Sequence, residues 1–287
     1  MLMDEYVKLV YVAHPPKTDD DLKNKLLETL KSDNVQIIDP FALSPNLESN
    51  PDPKQRAQLA PLIFSRNVRA IQDSDWIVAL VSSNNPFDPD QGVFWEVGYG
   101  LALGRSIMLV YQEPLQTPKP FSDAESYLAF LKSIAPLVVS VDELEEVWRS
   151  YRKDTLVCNV YYQHLQHKAK EHWMLHWKKD ESLLDQLSNN FNMNYLSFER
   201  MASTKGILEL LIYYERPTWI CIDDRCVLAS LAAGWLYGQS IPFWTWSTKD
   251  YGSNIMIAQA SSGHYTWKEF KNFWSDRWSD RQMPIYD

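Results

Sequence analysis

Short apolar segments alternate with longer amphipathic segments along the first half of this chain of 287 residues. The apolar segments predict strands, and the amphipathic segments repeat their apolar residues at helical spacing. The predicted strands are Lys8–Ala13, Val35–Ile38, 76–81 and Ser106–Tyr111. The predicted helices begin at Thr18, whose hydroxyl would cap the first of them, and then cover 55–72 and 93–103, with Gly104 closing the last.

This order of strands and helices predicts an α/β fold with a parallel sheet flanked by helices, of the flavodoxin or Rossmann-like kind. The strand at 76–81 shows no alternation of apolar and polar residues, so both of its faces should be covered. Ligands of such sheets bind beyond the carboxyl ends of the strands. The loops after Ala13, Ile38 and Val81 should therefore meet at the ligand crevice.

The second half of the chain repeats the pattern of the first. Residues 90–107 align without a gap with residues 224–241, and a helix-like segment at 204–215 precedes the second of these. A chance match is the alternative to duplication. We expect a duplicated fold, with a catalytic domain over 1–150 and a degenerate second copy over 151–287.

Composition and charge exclude several classes of protein. The net charge of −9 is not the electrostatic footprint of a non-specific nucleic-acid binder. The three cysteines have neither disulfide-framework nor zinc-site spacing. The N-terminal segment does not resemble a signal peptide, and no apolar run is long enough to span a membrane. We expect a cytoplasmic protein with no metal, no membrane partner and no nucleic-acid partner.

Two carboxylates stand close together in the stretch DPDQGVFWEVGYG at 88–100. Asp90 falls in the loop after the third strand, and Glu96 falls early in the next helix. Such a pair suits glycosyl chemistry, because one carboxylate can attack the anomeric carbon while the other manages the proton of the leaving base. Gly92 would allow a tight turn and the approach of a flat ligand. Spacing alone favours the plainer alternative, in which Asp90 is a turn residue and Glu96 a solvated helix residue.

Two motifs resemble those of nucleoside 2-deoxyribosyltransferases. The segment YVAHP at 11–15 is similar to the family's Y-L-A-G-P first-strand motif. The family signature Asp-x-Gly-x-x-x-Glu-x-Gly-Tyr-(Ala/Gly) is matched by Asp90, Gly92, Glu96, Gly98, Tyr99 and Gly100. The resemblance extends from Lys8 to Tyr111, and its motifs are specific in combination. With it, the functional interpretation of Asp90 and Glu96 is favoured.

The resemblance implies a role for each matching residue. Glu96 would be the nucleophile that forms a covalent deoxyribosyl-enzyme, and Asp90 would bind the base and exchange a proton with it. Tyr11 would position Glu96 by a hydrogen bond. Asn67 stands where the family has an aspartate that handles the base, and an amide cannot donate or accept a full proton at neutral pH. His14 replaces the usual glycine, and it either touches substrate or is an ordinary loop histidine.

The resemblance also implies a dimer, since in family members a loop of the neighbouring subunit, with an Asn and a Met, closes over the sugar 5′-hydroxyl. The first half has no asparagine between Val97 and Cys158, whereas the second half has Asn254 and Met256 in the matching place. In turn, the gapless alignment puts Ser230 at the position of Glu96 and Cys226 at that of Gly92. We expect a fused pseudo-dimer with one composite site, unless Asn254 is only a turn residue.

The function that the resemblance implies is transfer of 2-deoxyribose from a 2′-deoxynucleoside to another nucleobase. No cofactor is needed, the partners are deoxynucleosides and nucleobases, and the chain would form a homo-oligomer. One alternative is a nucleoside or nucleotide N-glycosidase, in which water replaces the second base. The loop HPPKTDDD after the first strand disfavours a phosphate there, because it has three acids and no glycine. The other alternative is a non-catalytic sensor of nucleosides or nucleotides.

Overall fold

A computed structural model gives the three-dimensional structure of the chain. It describes residues 7–16, 18–32, 34–42, 53–81, 91–118, 121–152, 173–176, 194–197, 218–222, 227–247, 254–270 and 272. The predicted helix at 204–215 and the residue Asp90 lie outside these ranges.

The first half forms a five-stranded parallel sheet with the strand order β2-β1-β3-β4-β5. The order is that of flavodoxin-like folds, so the predicted fold class is confirmed. The elements in chain order are β1 (Lys8–Ala13), α1 (Asp20–Leu30), β2 (Val35–Ile38), α2 (Pro53–Asp73), β3 (Trp76–Leu80), α3 (Gln91–Ala102), β4 (Ser106–Tyr111), α4 (Ala124–Ile134), β5 (Leu137–Ser140) and α5 (Leu144–Tyr151).

A second five-stranded parallel sheet follows in the second half of the chain, with the order β10-β9-β8-β6-β7. Its elements are β6 (Trp173–His176), β7 (Asn194–Ser197), β8 (Thr218–Cys221), α6 (Val227–Gly238), β9 (Phe243–Ser247), α7 (Ile255–Ala260) and β10 (His264–Thr266). If the strands of the second half are numbered from β6 as the first, each strand has the same neighbours as the corresponding strand of the first sheet. A second parallel sheet of the same order is consistent with duplication.

The central strands β1, β3 and β4 of the first sheet are buried on both faces over most of their length, as the unbroken apolar run at β3 predicts. Tyr11 and Ile77 point into a core that both halves share, whereas Val10 and Trp76 point to the opposite face. There, α1 and α5 cover the sheet through apolar side chains that include Trp148. Because both faces are covered, period-two alternation is absent from these strands.

The two halves meet where α3 packs against α6. A Cβ atom on Gly98 would lie 2.1 Å from the carbonyl oxygen of Leu231, and one on Gly234 would lie 2.0 Å from that of Trp95. Since Trp95 faces Gly234, and Ala102 at the end of α3 faces Gly238 at the end of α6, the two helices run in the same general direction. Each glycine therefore allows the other half's backbone to come into direct contact, as at a twofold axis between like subunits.

The contacts of the two glycines also correct the alignment of the halves. Gly98 lies against Leu231 and Trp235, and Gly234 lies in the same way against Trp95 and Tyr99. Gly98 is thus the counterpart of Gly234, whereas the gapless sequence alignment pairs it with Ala232.

The ends of the two helices agree with this register. The left-handed residue that follows each helix is Gly104 (φ 68°) in the first half and Ser240 (φ 58°) in the second. The counterpart of Glu96 is therefore Ala232, and the expectation that Ser230 occupies that position is wrong. The sequence alignment followed shared Gly, Leu and Ser letters, whereas packing at the interface sets the structural register.

Two helix starts differ in detail from the sequence predictions. The cap of α1 is Asp19, whose carboxylate accepts from the backbone N–H groups of Asp21 (3.0 Å) and Leu22 (3.2 Å). The hydroxyl of Thr18 donates instead to the carbonyl of Pro15. Helix α3 begins at Gln91, so Gly92 lies in its first turn and not in a turn before it.

The contact between the halves makes Gly98→Ala a test of the pseudo-dimer. An alanine normally stabilises a helix by about 1 kcal/mol relative to glycine. Here the added methyl group would push α3 and α6 apart, so the free energy of unfolding in denaturant titration should fall by about 2–3 kcal/mol. The control is Gly104→Asn, which enters open space and should change stability by less than about 1 kcal/mol. A stabilising Gly98→Ala substitution would contradict the close contact.

Candidate active site

Three elements of the first half bring polar side chains together at the face of the sheet that the second half covers. Tyr11 comes from β1, Asn67 from α2 and Glu96 from α3. Tyr11 is fully buried, and Asn67 and Glu96 are each 6% exposed. The sequence predicted all three as site residues, although they are far apart along the chain.

Glu96 is held by two donors at the same oxygen. The hydroxyl of Tyr11 donates to Oε1 of Glu96 at 2.7 Å, and Nδ2 of Asn67 donates to it at 3.1 Å. Hydrogen bonds of this kind stabilise a buried carboxylate and fix its orientation. The alternative in which Glu96 is a solvated helix residue is therefore wrong, because α3 is buried along nearly its whole length against the second half of the chain.

Tyr11 acts on Glu96 as a neutral donor. Burial raises the pKa of the Tyr11 hydroxyl well above its ordinary value, and the negative charge of Glu96 and the hydrogen bond to it raise this pKa further. The hydroxyl thus keeps its proton at neutral pH, so the Tyr11–Glu96 hydrogen bond persists across the ordinary working range.

A second polar pair lies where β1 and β2 end, and sequence analysis identified only one of its members. Nε2 of His14 is 3.2 Å from Oδ1 of Asp39, Nδ1 of His14 is 3.0 Å from the carbonyl oxygen of Pro15, and the imidazole packs on Phe41. Both ring nitrogens face oxygen atoms, and which of them donates depends on the tautomer of the imidazole. The sequence offers one signal for Asp39, its position directly after a predicted strand, but no motif around it distinguishes it.

The pKa of Asp39 reflects two opposing effects. Burial raises it, but hydrogen bonds from His14 and from the backbone N–H groups of Phe41 and Ala42, together with the charge of His14, outweigh burial and leave it below the ordinary value of 3.8. The folded state therefore stabilises the ionised form of Asp39.

Asn254 and Met256 lie at the start of a helix, and not in the loop that the resemblance implies. The side chain of Asn254 caps α7 by accepting from the backbone N–H of Met256 at 2.9 Å. Met256 is 4% exposed and belongs to the core shared by both halves. Helix α7 packs on α2 and α3, the two helices that carry Asn67 and Glu96. The second half thus contacts both elements that hold the buried carboxylate.

The structure defines an α/β protein with a hydrogen-bonded carboxylate buried beneath a flavodoxin-like sheet. A family model described as nucleoside 2-deoxyribosyltransferase matches residues 10–156, and the chain belongs to this family. No curated protein sequence matches the chain. Among the described helices, none combines the length and the apolar character needed to cross a membrane.

The low pKa of Asp39 predicts how the stability of an Asp39→Asn variant depends on pH. A depressed pKa gives stability that is present above the unfolded value of 3.8 and is lost as pH falls through the folded value. The variant should melt a few degrees, about 2–5 °C, below the parent at about pH 7. This difference should shrink as the pH is lowered below the unfolded value of 3.8 and Asp39 of the parent becomes protonated.

Asp142→Asn is the matched control for the melting experiment. Its carboxylate pairs with Lys25 at the surface and its side chain is 85% exposed, so the removal of its charge should leave the melting temperature nearly unchanged. An Asp39→Asn variant that melts like this control at every pH would show that the His14–Asp39 pair contributes no stability.

Proposed function

We propose that this protein transfers 2-deoxyribose from a 2′-deoxynucleoside to another nucleobase, with Glu96 as nucleophile. The observation that carries the proposal is the buried Glu96 carboxylate, which the hydroxyl of Tyr11 holds at 2.7 Å in a chain of this family. A carboxylate that is charged, oriented and shielded from water is suited to attack an anomeric carbon.

In the first half-reaction, a carboxylate oxygen of Glu96 attacks C1′ of the nucleoside through an oxocarbenium-like transition state. The C1′–N bond breaks, the base leaves with the bonding electron pair, and it takes up one proton. We propose Asp90 as the group that exchanges this proton. The sugar remains as an ester on Glu96, with its configuration at C1′ inverted.

In the second half-reaction, a ring nitrogen of another base attacks C1′ from the side that the first base has vacated. The bond between C1′ and Glu96 breaks, the carboxylate regains its electron pair, and the incoming nitrogen gives its proton to Asp90. Two inversions give net retention, and the reaction follows ping-pong kinetics. Tyr11 supports both steps, because its donated hydrogen bond stabilises the carboxylate when it leaves.

We further propose that the chain is a fused pseudo-dimer with one working site, in which 1–150 is the catalytic domain and 151–287 the degenerate copy. Ala232 is the counterpart of Glu96, so the second half lacks a nucleophile in that place. The approach of α7 to α2 and α3 supports a contribution of Asn254 and Met256 to the sugar side of the first half's site.

Glu96→Gln should abolish both half-reactions, because an amide oxygen neither attacks nor leaves as a carboxylate does. We expect the rate of base release from deoxyinosine or thymidine to fall by on the order of 10³-fold or more. Chromatography with and without excess adenine measures this rate, and new deoxyadenosine that forms only with adenine establishes transfer. The control is Glu145→Gln, which changes an exposed glutamate paired with Arg149 and should retain full activity.

The same assay separates the alternatives. Free base released at equal rates with and without adenine, with no new nucleoside, would make the protein a glycosidase. Absence of reaction with every donor would favour a sensor, and Glu96→Gln with parental activity would exclude Glu96 as nucleophile. Mass spectrometry of the parent quenched during turnover should show one deoxyribosyl adduct per chain, as a single working site requires.

Two variants of Asn254 separate capping from substrate binding. Aspartate caps a helix as well as asparagine does but offers no amide N–H₂, whereas alanine lacks both functions. If Asn254 donates to the sugar, Asn254→Asp should raise KM or lower turnover by about 10-fold at nearly parental melting temperature. An Asn254→Asp variant with parental kinetics would limit Asn254 to its capping role.

A further inference from the structure

The side chain of Asn67 has a defined orientation between two groups of opposite character. Its Nδ2 donates to Oε1 of Glu96 at 3.1 Å, and its Oδ1 accepts from Nη2 of Arg66 at 3.4 Å. A carboxylate only accepts and a guanidinium only donates, so the reversed amide would oppose like groups on both sides. Asn67 is 6% exposed, and both ends of its amide are engaged by protein groups.

We propose that Asn67 is a positioning residue that acts on the nucleophile and not on the base. Its amide holds the Glu96 carboxylate oxygen from the side of α2, while Tyr11 holds the same oxygen from the side of β1. The proposal rests on the proposed role of Glu96. It assigns Asn67 a different partner from the base contact that the resemblance implies.

Asn67 carries an amide where the resemblance implies an aspartate, and this difference has a direct chemical consequence. An aspartate with the same geometry would put a second carboxylate about 3.1 Å from that of Glu96. Two carboxylates at this distance either repel each other or share one proton, so the way in which Glu96 is held would change with pH. The amide instead supplies a permanent donor, so Glu96 is held in the same way at every pH at which it is charged.

Asn67→Asp and Asn67→Leu, both close to asparagine in size, test this inference. Loss of a hydrogen bond to a charged group should lower kcat for base release by about 10- to 100-fold in both variants near pH 8, with little change in KM. As the pH is lowered towards about 5, the Asp variant should recover, because a proton shared with Glu96 restores a donor at position 67. The Leu variant has no such proton and should not recover.

Among the described residues, the charged and titratable groups near this pair are Tyr11, Arg66 and Glu96, together with Asp39 after β2, whose charge acts on Tyr11. Tyr11 of β1 stays neutral because its pKa is raised, Arg66 of α2 donates to Oδ1 of Asn67, and Glu96 of α3 is the partner itself. The parent and the Leu variant contain the same groups apart from Asn67, so their pH profiles provide the baseline. Arg69→Gln is the control on the same helix, since Arg69 is 84% exposed and its loss should leave kcat and its pH profile unchanged.

Thermal melting gives a second measurement that does not require turnover. In Asn67→Asp, the folded-state pKa of the carboxylate pair is raised, so the pair's stability is lost as the pH rises. The melting temperature of this variant should lie close to that of the parent near pH 4.5 and fall progressively below it towards about pH 8. The difference between the Leu variant and the parent should not change in this direction.

Failure of the inference about Asn67 can be distinguished from failure of the proposed glycosyl transfer. A rise in KM alone in the Leu variant, with unchanged kcat, would show that Asn67 binds the base and would overturn the inference. If the parent catalyses no glycosyl transfer, the proposed function fails, but melting still tests the contact between Asn67 and Glu96. A melting difference between Asn67→Asp and the parent that is the same at every pH would overturn the inference in either case.

Discussion

The contact between α3 and α6 is the constraint on which the rest of the structure depends. Helix α3 carries the buried Glu96 near its middle and Gly98 on the side that touches the second half, so one rigid element fixes both the carboxylate and the interface. Without a side chain at Gly98, the backbone of α6 comes close enough to exclude water from both helices. The burial of Glu96 is therefore a consequence of the association of the halves as much as of the first sheet.

A carboxylate buried in this way is costly unless its charge is compensated. Removal of an ion from water costs several kcal/mol in a protein, and hydrogen bonds must offset this cost. Tyr11 and Asn67 both donate to Oε1 of Glu96, so the cost of burial is met by side chains from two different elements. Neither donor changes its protonation near neutral pH, so the hydrogen bonds from Tyr11 and Asn67 to Glu96 do not depend on pH in that range.

The sequence allowed the fold and most of the candidate site to be predicted, because both depend on local patterns. The strands β1, β2 and β4 have the predicted bounds, since short β-rich runs ended by proline or glycine leave little freedom. Tyr11 and Glu96 were found through a family signature, and the structure shows the contact between them. The register of the two halves was mistaken by two residues, because packing of Gly98 against Gly234 sets it.

Asp39 was missed for a related reason, since its importance arises from the pairing of β1 with β2 and not from any motif around it. The capping role of Asn254 was hidden because a helix as short as α7 has no clear periodicity in the sequence. Both cases depend on contacts between segments that are distant along the chain or too short to show a pattern, and such contacts are visible only after the fold is known.

The covalent connection of the two halves has a consequence for how the protein behaves on dilution. An interface between separate subunits dissociates when the protein concentration falls below the dissociation constant, and a site that spans it is lost with it. Here the partner of α3 belongs to the same polypeptide, so its local concentration is set by the length of the linking chain and not by the amount of protein in solution. The contact of α6 with α3, which helps to bury Glu96, is thus independent of the protein concentration.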